Sequence, residues 1–316
     1  MSTAPASLPG TVRGYRHEAL LYSGMAEFVT AATSFIRRAI RAGDPILVVV
    51  SKAKIDRISR QLGPEAAAVT FADMADVGDN PARIIAAWQA FLQAHEGASQ
   101  LWGIGEPIYP ERSPTELAEC QLHEALLNVA FDAATPFWLL CPYDLEALTA
   151  DVIDEAHRTH PFVAHGEDRQ ACRTFRPVDL AGPFARPLPA RPSDAACMYF
   201  ESGVLHYLRI FVTQHAIRVG LPGPALEAMV MAVNEVATNT IRHGGGQGEL
   251  RVWSEGPSLV CEVSDRGHLI SPLAGRVPPT LDDGSPGGLW LANQLCDLVQ
   301  IFSSADGTVV RLHQAL

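Results

Sequence analysis

Lysine is nearly absent from this chain: it occurs only at Lys52 and Lys54, and every other basic residue is arginine. Lys and Arg together number 24 against 35 Asp and Glu, a formal net charge of -11. A surface of that sign repels phosphate backbones, which argues against a nucleic-acid or anionic-membrane partner. No GxxxxGK[ST] occurs, and the two lysines sit in SKAK without a glycine-rich loop, so P-loop phosphate binding is not expected. No apolar run approaches the roughly 18 residues of a membrane span, and the opening MSTAPASLPGTVRGY lacks the apolar core of a secretory signal. The six cysteines (Cys120, Cys141, Cys172, Cys197, Cys261 and Cys296) are scattered, with no CxxC pair. Such thiols read as buried or free in a reducing compartment. A soluble, cytoplasmic protein is expected.

What is present is apolar surface: 47% hydrophobic and 19% charged residues over 316 positions, enough for two cores. From Tyr15 to about Val163, β-type and helical runs alternate. Ile46–Val50 (ILVVV) is unbroken and β-branched, as a buried parallel strand should be. Val69–Phe71, Leu101–Ile104 and Phe137–Leu140 are further candidate strands. Helices are expected over Ala26–Ala42, Lys52–Leu62, Pro81–His95 and Pro114–Ala133, with Asn80 as the cap of the third. The alternation predicts an α/β domain with a parallel sheet over 14–165.

Between 166 and 193 the pattern dissolves. GPFARPLPARPSD holds four prolines in thirteen residues, which predicts a linker. Over 194–316 the order changes: a strand near Met198–Phe200, helices Gly203–Val219 and Pro224–Arg242, and strands Gly248–Ser254 and Leu259–Ser264. A loop, a helix Gly288–Leu298 and strands Val299–Ser303 and Thr308–His313 close the chain. Helices first and paired strands later predict an α+β two-layer sandwich.

The most informative segment is ALEAMVMAVNEVATNTIRHGGG. Leu226, Met229, Val230, Val233, Ala237 and Ile241 recur at helical spacing and mark one buried face. Glu235 and Asn239 lie on a second stripe with Ala228 and Ala232, ending at His243. Small residues there, where a solvated face carries long charged ones, suggest that something packs against it. A carboxamide oxygen suits Mg²⁺, and a carboxylate one turn earlier can take a proton from a water or hydroxyl. The plainer reading is helix polarity followed by a cap, since Gly244–Gly246 end the helix in any case. Two further features add weight. In VSDRG, Asp265 ends an apolar strand, where it can accept an adenine amino group, and Gly267 allows close backbone approach; a turn Asp is the commoner use. GSPGGLW opens a helix with Gly287 and Gly288, whose amides can face a polyphosphate.

In their order, NEVATNTIRHGG, SDRG and GGLWLANQLCD resemble the N-box and the two glycine boxes of anti-sigma regulatory factors. These are serine/threonine kinases of the GHKL (Bergerat-fold, HATPase) type. The resemblance implies ATP and Mg²⁺ as cofactors: Glu235 as catalytic base, Asn239 as Mg²⁺ ligand and Asp265 as the reader of adenine. His243, Gly267, Gly287, Gly288 and Leu289 would complete the ATP site, with Pro272–Ser285 as a lid. Two positions depart from the pattern: Leu269 stands where DxGxG has its second glycine, and Pro286 replaces a residue of GxGL, removing an amide donor. The implied partner is an anti-anti-sigma (STAS-type) protein, with a sigma factor as the other client; a homodimer is compatible with the reading. The departures keep open a nucleotide-dependent partner-binding regulator without transfer.

In the first domain, HEALLY (His17–Tyr22), WGIGEPIYPERS (Trp102–Ser113), HEALLNVAF (His123–Phe131) and LLCPYD (Leu139–Asp144) resemble the MEDS sensory domain, a degenerate RecA-like module. That likeness implies a small-molecule ligand. His157, His160 and His165 suggest a metal site only weakly, because Pro161 breaks the spacing. His123-Glu124 is reminiscent of a sensor histidine kinase phosphoacceptor, but no long helical hairpin leads from it into the second domain.

Overall fold

The computed structural model describes residues 14–166, 168–178, 184–279 and 287–316. Along the first half run β1 (Arg16–Tyr22), α1 (Gly24–Ala42), β2 (Ile46–Val50), α2 (Lys52–Leu62), β3 (Thr70–Asp73), a single turn α3 (Met74–Val77), α4 (Ile84–Ala94), β4 (Leu101–Gly105) and α5 (Pro114–Ala130). Then come β5 (Phe137–Asp144), α6 (Ala150–Thr159), β6 (Phe162–His165) and β7 (Asp168–Ala171). The second half holds β8 (Ala196–Glu201), α7 (Leu205–Val219), α8 (Gly223–His243), β9 (Gln247–Glu255), β10 (Ser258–Asp265), α9 (Gly287–Leu295), β11 (Leu298–Ser304) and β12 (Gly307–Ala315). These elements form two compact units.

The first unit comprises residues 14–74, 90–111 and 127–177. Its seven-stranded sheet runs β3-β2-β4-β5-β1-β6-β7, parallel except for the antiparallel pair β6–β7. One face carries Leu20, Tyr22, Val48, Val50, Ile104, Trp138 and Leu140. These pack on Phe28, Phe35 and Ile36 of α1 and Ile58 of α2. This is the α/β domain that the alternation predicts. The interior strand β1 escapes the periodicity, because HEALL favours a helix by propensity. Tertiary contacts override that preference: Glu18 is fully buried, ion-paired to Arg16 and Arg169 at 2.8 Å each, and accepts the Trp138 indole N–H at 2.8 Å. Arg169 comes from β7, a strand inside the stretch expected to be linker; its sequence, DRQA, has no apolar pattern to announce it.

The second unit comprises residues 75–89, 112–126 and 178–316, of which 179–183 and 280–286 lie outside the described residues. Its five-stranded antiparallel sheet has the order β11-β12-β10-β9-β8. One face carries Leu250, Val252, Cys261, Val263, Val310 and Leu312, covered by Leu208 and Val212 of α7, Met229 and Val233 of α8, and Leu289 and Ala292 of α9. This is the expected two-layer α+β sandwich. On the other face the pair Glu262–Arg311 is buried; Arg191 reaches Glu262 at 3.0 Å, and Arg311 donates to the Pro189 carbonyl at 3.0 Å. Part of the proline-rich stretch therefore lies along the back of this sheet.

Two segments from earlier in the chain complete this unit. The Asn80 amide donates to the carbonyls of Asn293 (3.1 Å) and Cys296 (3.3 Å), and Arg83 to the same two at 2.7 and 2.9 Å. They satisfy carbonyls that the end of α9 leaves without a helical donor. Asn80 also caps its own segment by accepting from Ala82 N at 3.0 Å, the role expected of it, although the first turn is 3-10 rather than α.

Candidate nucleotide site

Helix α8 packs Met229, Val233 and Ala237 into the core, and Gly288 of α9 comes against it at Glu235 and Asn239. A Cβ on Gly288 would stand 2.7 Å from Asn239 Nδ2 and 3.3 Å from the Glu235 carbonyl, so only glycine lets α9 come this close. Asn239 Nδ2 is buried with no hydrogen-bond partner among the described residues. That nitrogen is the Asn239 atom nearest Gly288.

Asp265, at the end of β10, is fixed on both oxygens. The Thr240 hydroxyl donates to Oδ2 at 2.6 Å and the Gly267 amide to Oδ1 at 2.7 Å. Gly244, which ends α8, leaves the space that this carboxylate fills; any side chain at 244 would collide with it. A Cβ on Gly267 would stand 3.0 Å from both Asp265 Oδ1 and the His243 carbonyl. The following turn is held from the sheet: Thr308 Oγ1 donates to the Gly267 carbonyl at 2.9 Å, and Ser303 Oγ accepts from Leu269 N at 3.0 Å.

Together these elements enclose a cavity of about 260 Å³. Asn239, His243, Asp265, Gly267, Leu289 and Thr308 line it, with Val236, Leu269, Ile270 and Val310 supplying apolar wall. Among the residues expected to form the site, five thus reach one cavity. Glu235, Gly287 and Gly288 are not among its lining residues; Glu235 is half-buried one turn before Asn239, and Gly287 faces the Pro279 ring. Leu269, the departure from the glycine pattern, forms part of the apolar wall. Pro286 and Gly284–Ser285 lie outside the described residues, as does the lid beyond Pro279. The described start of the lid is a turn at 272–276: Asn293 donates to the Gly275 carbonyl at 3.0 Å, and Arg276 pairs with Glu119 at 2.5 Å.

Thr240, Thr308 and Ser303 are the site residues that sequence reasoning misses. Thr240 has a signal, since it follows Asn239 directly and points into the same turn as the terminal glycines. The other two come from strands whose hydroxyls carry no pattern. No lysine or arginine lines the cavity among the described residues; its basic side chains are His243 and His268. A larger concavity of about 600 Å³ on the β8–β9 side is lined by Tyr199, Glu201, Glu249, Arg266 and Asp265, so Asp265 borders both. The buried thiols nearby are inert by burial, Cys296 being pushed up to about 12.

In the first unit, the carboxyl ends of β1, β4 and β5 gather Tyr22, Lys54, Glu106 and Asp144, the end of a parallel sheet where ligands bind. Tyr22 donates to Glu106 at 2.9 Å; Lys54 lies 2.6 Å from the Tyr22 oxygen and is ion-paired to Glu106. Burial pushes the Glu106 carboxyl up, against the pull of Lys54. His157, His160 and His165 are not gathered: His157 is tied to the Ile153 carbonyl at 2.8 Å, His160 is fully buried and His165 is exposed. His123 is 1% exposed, unlike a phosphoacceptor that must meet ATP.

Fold and cavity define a two-part protein: a parallel α/β unit joined to a GHKL-type sandwich with a polar-floored, apolar-walled pocket. Family comparison makes this specific. Residues 16–161 match the MEDS family (MEthanogen/methylotroph, DcmR Sensory domain), and residues 203–313 match the histidine kinase-like ATPase domain. The chain thus pairs a MEDS domain with a histidine kinase-like ATPase domain. No curated protein matches the chain. Among solved structures, the chain is similar at 16% identity to the RsbU and RsbW domains of Rv1364c from Mycobacterium tuberculosis, with a TM-score of 0.30. The match covers 40% of this chain and spans about a third, 32%, of that one. No helix among the described residues is long and apolar enough to cross a membrane.

Proposed function

We propose that this protein is an anti-sigma regulatory kinase: it binds ATP with Mg²⁺ in the 260 Å³ cavity and transfers the γ-phosphoryl group to a Ser or Thr hydroxyl of an anti-anti-sigma (STAS-type) partner. The observation that carries the reading is the fixed Asp265. With Oδ1 and Oδ2 each already accepting one proton, the carboxylate is held rigidly and keeps lone pairs for an adenine amino group. Val236, Leu269 and Leu289 flank the base with apolar surface.

A magnesium–triphosphate fits the residues present. Asn239 lines the cavity, and a carboxamide oxygen is a neutral ligand suited to Mg²⁺. When bound, Mg²⁺ neutralises charge on the β- and γ-phosphates. The chain's own part is positioning: Asp265 sets the base, Asn239 the metal, and the first amides of α9 face the phosphates. Glu235 takes the proton of the attacking hydroxyl as the bond to ADP breaks and the phosphoester forms. A small molecule at the carboxyl ends of the first sheet biases partner choice.

A second reading, nucleotide-gated partner binding without transfer, is favoured by one fact: Glu235 is not among the cavity's lining residues. Incubation of the full-length protein with labelled ATP and STAS partners decides between them. The kinase reading expects label on the partner, with transfer by Glu235→Ala reduced about 100-fold or more at unchanged ATP affinity. A partner that is bound but never labelled overturns it.

A further inference from the structure

Strand β1 presents His17 and Ala19 to the face of the first sheet opposite the Phe35–Trp138 core. Ala19 pairs in register with Cys141 of β5, so His17 and Cys141 are diagonal neighbours on that face. His160, just past the end of α6, stacks beside His17 with ring centroids 4.0 Å apart. All three are buried, His17 at 1%, Cys141 at 2% and His160 at 0% exposure. Their ligand atoms lie within 4.8 Å of one another.

The hydrogen bonds around the two histidines fix which nitrogen each presents. Asn128 of α5 donates its Nδ2 to the Thr159 carbonyl at 2.8 Å, which turns its Oδ1 toward His17 Nδ1 at 3.2 Å. That oxygen only accepts, so His17 Nδ1 carries the proton and Nε2 the lone pair. His160 Nδ1 faces the Ala156 carbonyl at 2.8 Å, also an obligate acceptor, so its proton is on Nδ1 as well. Both buried imidazoles thus carry their lone pair on Nε2, with the opposite nitrogens anchored. This is the arrangement that orients histidine ligands of metals. His17 Nε2 lies 3.4 Å from Cys141 Sγ. Metal–sulfur and metal–nitrogen bonds of about 2.3 and 2.0 Å at a tetrahedral angle would separate the two ligand atoms by about 3.5 Å.

We propose that His17, Cys141 and His160 form a binding site for a borderline transition-metal cation, zinc first, inside the MEDS domain. Two imidazoles and a thiolate select zinc, cobalt or copper over magnesium and calcium. On binding, the Cys141 thiol loses its proton to solvent and the sulfur bonds the metal, so affinity rises with pH. An oxygen ligand, from a carboxylate or a water, completes the tetrahedron. Burial of all three groups argues for a structural or regulatory ion and against a nucleophile that must meet a substrate. Asn128 acts as a positioning residue through His17.

The test uses the full-length protein, stripped with chelator and titrated with Co²⁺ and Zn²⁺. One equivalent of Co²⁺ is expected, with a thiolate-to-cobalt charge-transfer band that Cys141→Ser abolishes and Cys197→Ser, at an exposed thiol, leaves intact. Asn128→Ala is expected to weaken binding about tenfold or more while keeping the band. Because Cys141→Ser can disturb the fold, X-ray absorption on zinc-loaded wild type provides an independent reading: one sulfur at about 2.3 Å with nitrogen and oxygen at about 2.0–2.2 Å. No stoichiometric binding, a band unchanged in Cys141→Ser, or a shell with no sulfur or with several overturns the proposal.

Discussion

Two regions of this chain treat buried polarity in opposite ways. Around Glu18 and Glu106 in the first unit, polar groups close on one another: Glu18 is taken by Arg16, Arg169 and Trp138, and Glu106 by Lys54 and Tyr22. In the ATPase unit, the groups around the cavity are held but not used up. Asn239 keeps a buried amide nitrogen without a partner among the described residues, Asp265 keeps lone pairs to offer, and Gly244, Gly267 and Gly288 keep side chains out of the space. Satisfied polarity fixes a fold; polarity anchored on one side and open on the other waits for a ligand.

That contrast can be broken by mutation. The largest effect is expected for Lys54→Met, which leaves Glu106 buried without its cation. Breaking such a pair costs about 3–5 kcal/mol, so chemical denaturation should show the first unit unfolding earlier, with ATP affinity unchanged. Asp265→Ala should do the reverse. Losing an anchor worth about 1.5–3 kcal/mol per hydrogen bond to charge, it should lower ATP affinity about 100-fold in a direct titration, with little change in stability of the first unit. A loss of ATP affinity in Lys54→Met would overturn that expectation.

The smallest effect concerns pH. His313, on β12, is half-buried beside Gln300 and its pKa is lowered from 6.5 to about 4 by desolvation. Below 6.5 the unfolded chain binds a proton that the folded one refuses, so stability falls as pH drops from 6.5 toward 4 and is intact above that window. Between pH 7 and 5 this amounts to about 1–2 kcal/mol. His313→Gln should flatten that part of the melting-temperature profile of the second unit; an unchanged slope would place the sensitivity elsewhere.

Much of this is readable from the chain. ILVVV can only be a buried strand, and the fully buried β2 bears that out. The helix with Glu235 and Asn239 is legible because its apolar residues repeat every three or four positions, and its end because Gly244–Gly246 follow. What stays hidden depends on partners distant in sequence. β1 is absent from the expected strands, since the Arg169 that neutralises its buried Glu18 lies 151 positions further on. Asn80 reads as an ordinary cap, yet its amide also closes the end of α9, 213 residues away. The His17–Cys141–His160 group is invisible for the same reason: the HRTHPFVAH cluster draws attention to neighbours in sequence, while the structure combines one of its histidines with residues from two strands.

The proposed function stands on Asn239 and Asp265 framing a pocket for magnesium-bound adenine nucleotide. Isothermal titration of the full-length protein with ATP, with and without Mg²⁺, tests it most directly. A single site is expected, filled only when Mg²⁺ is present in wild type and lost in Asn239→Ala. Equal ATP affinity with and without the metal, or wild-type affinity in Asn239→Ala, would contradict it.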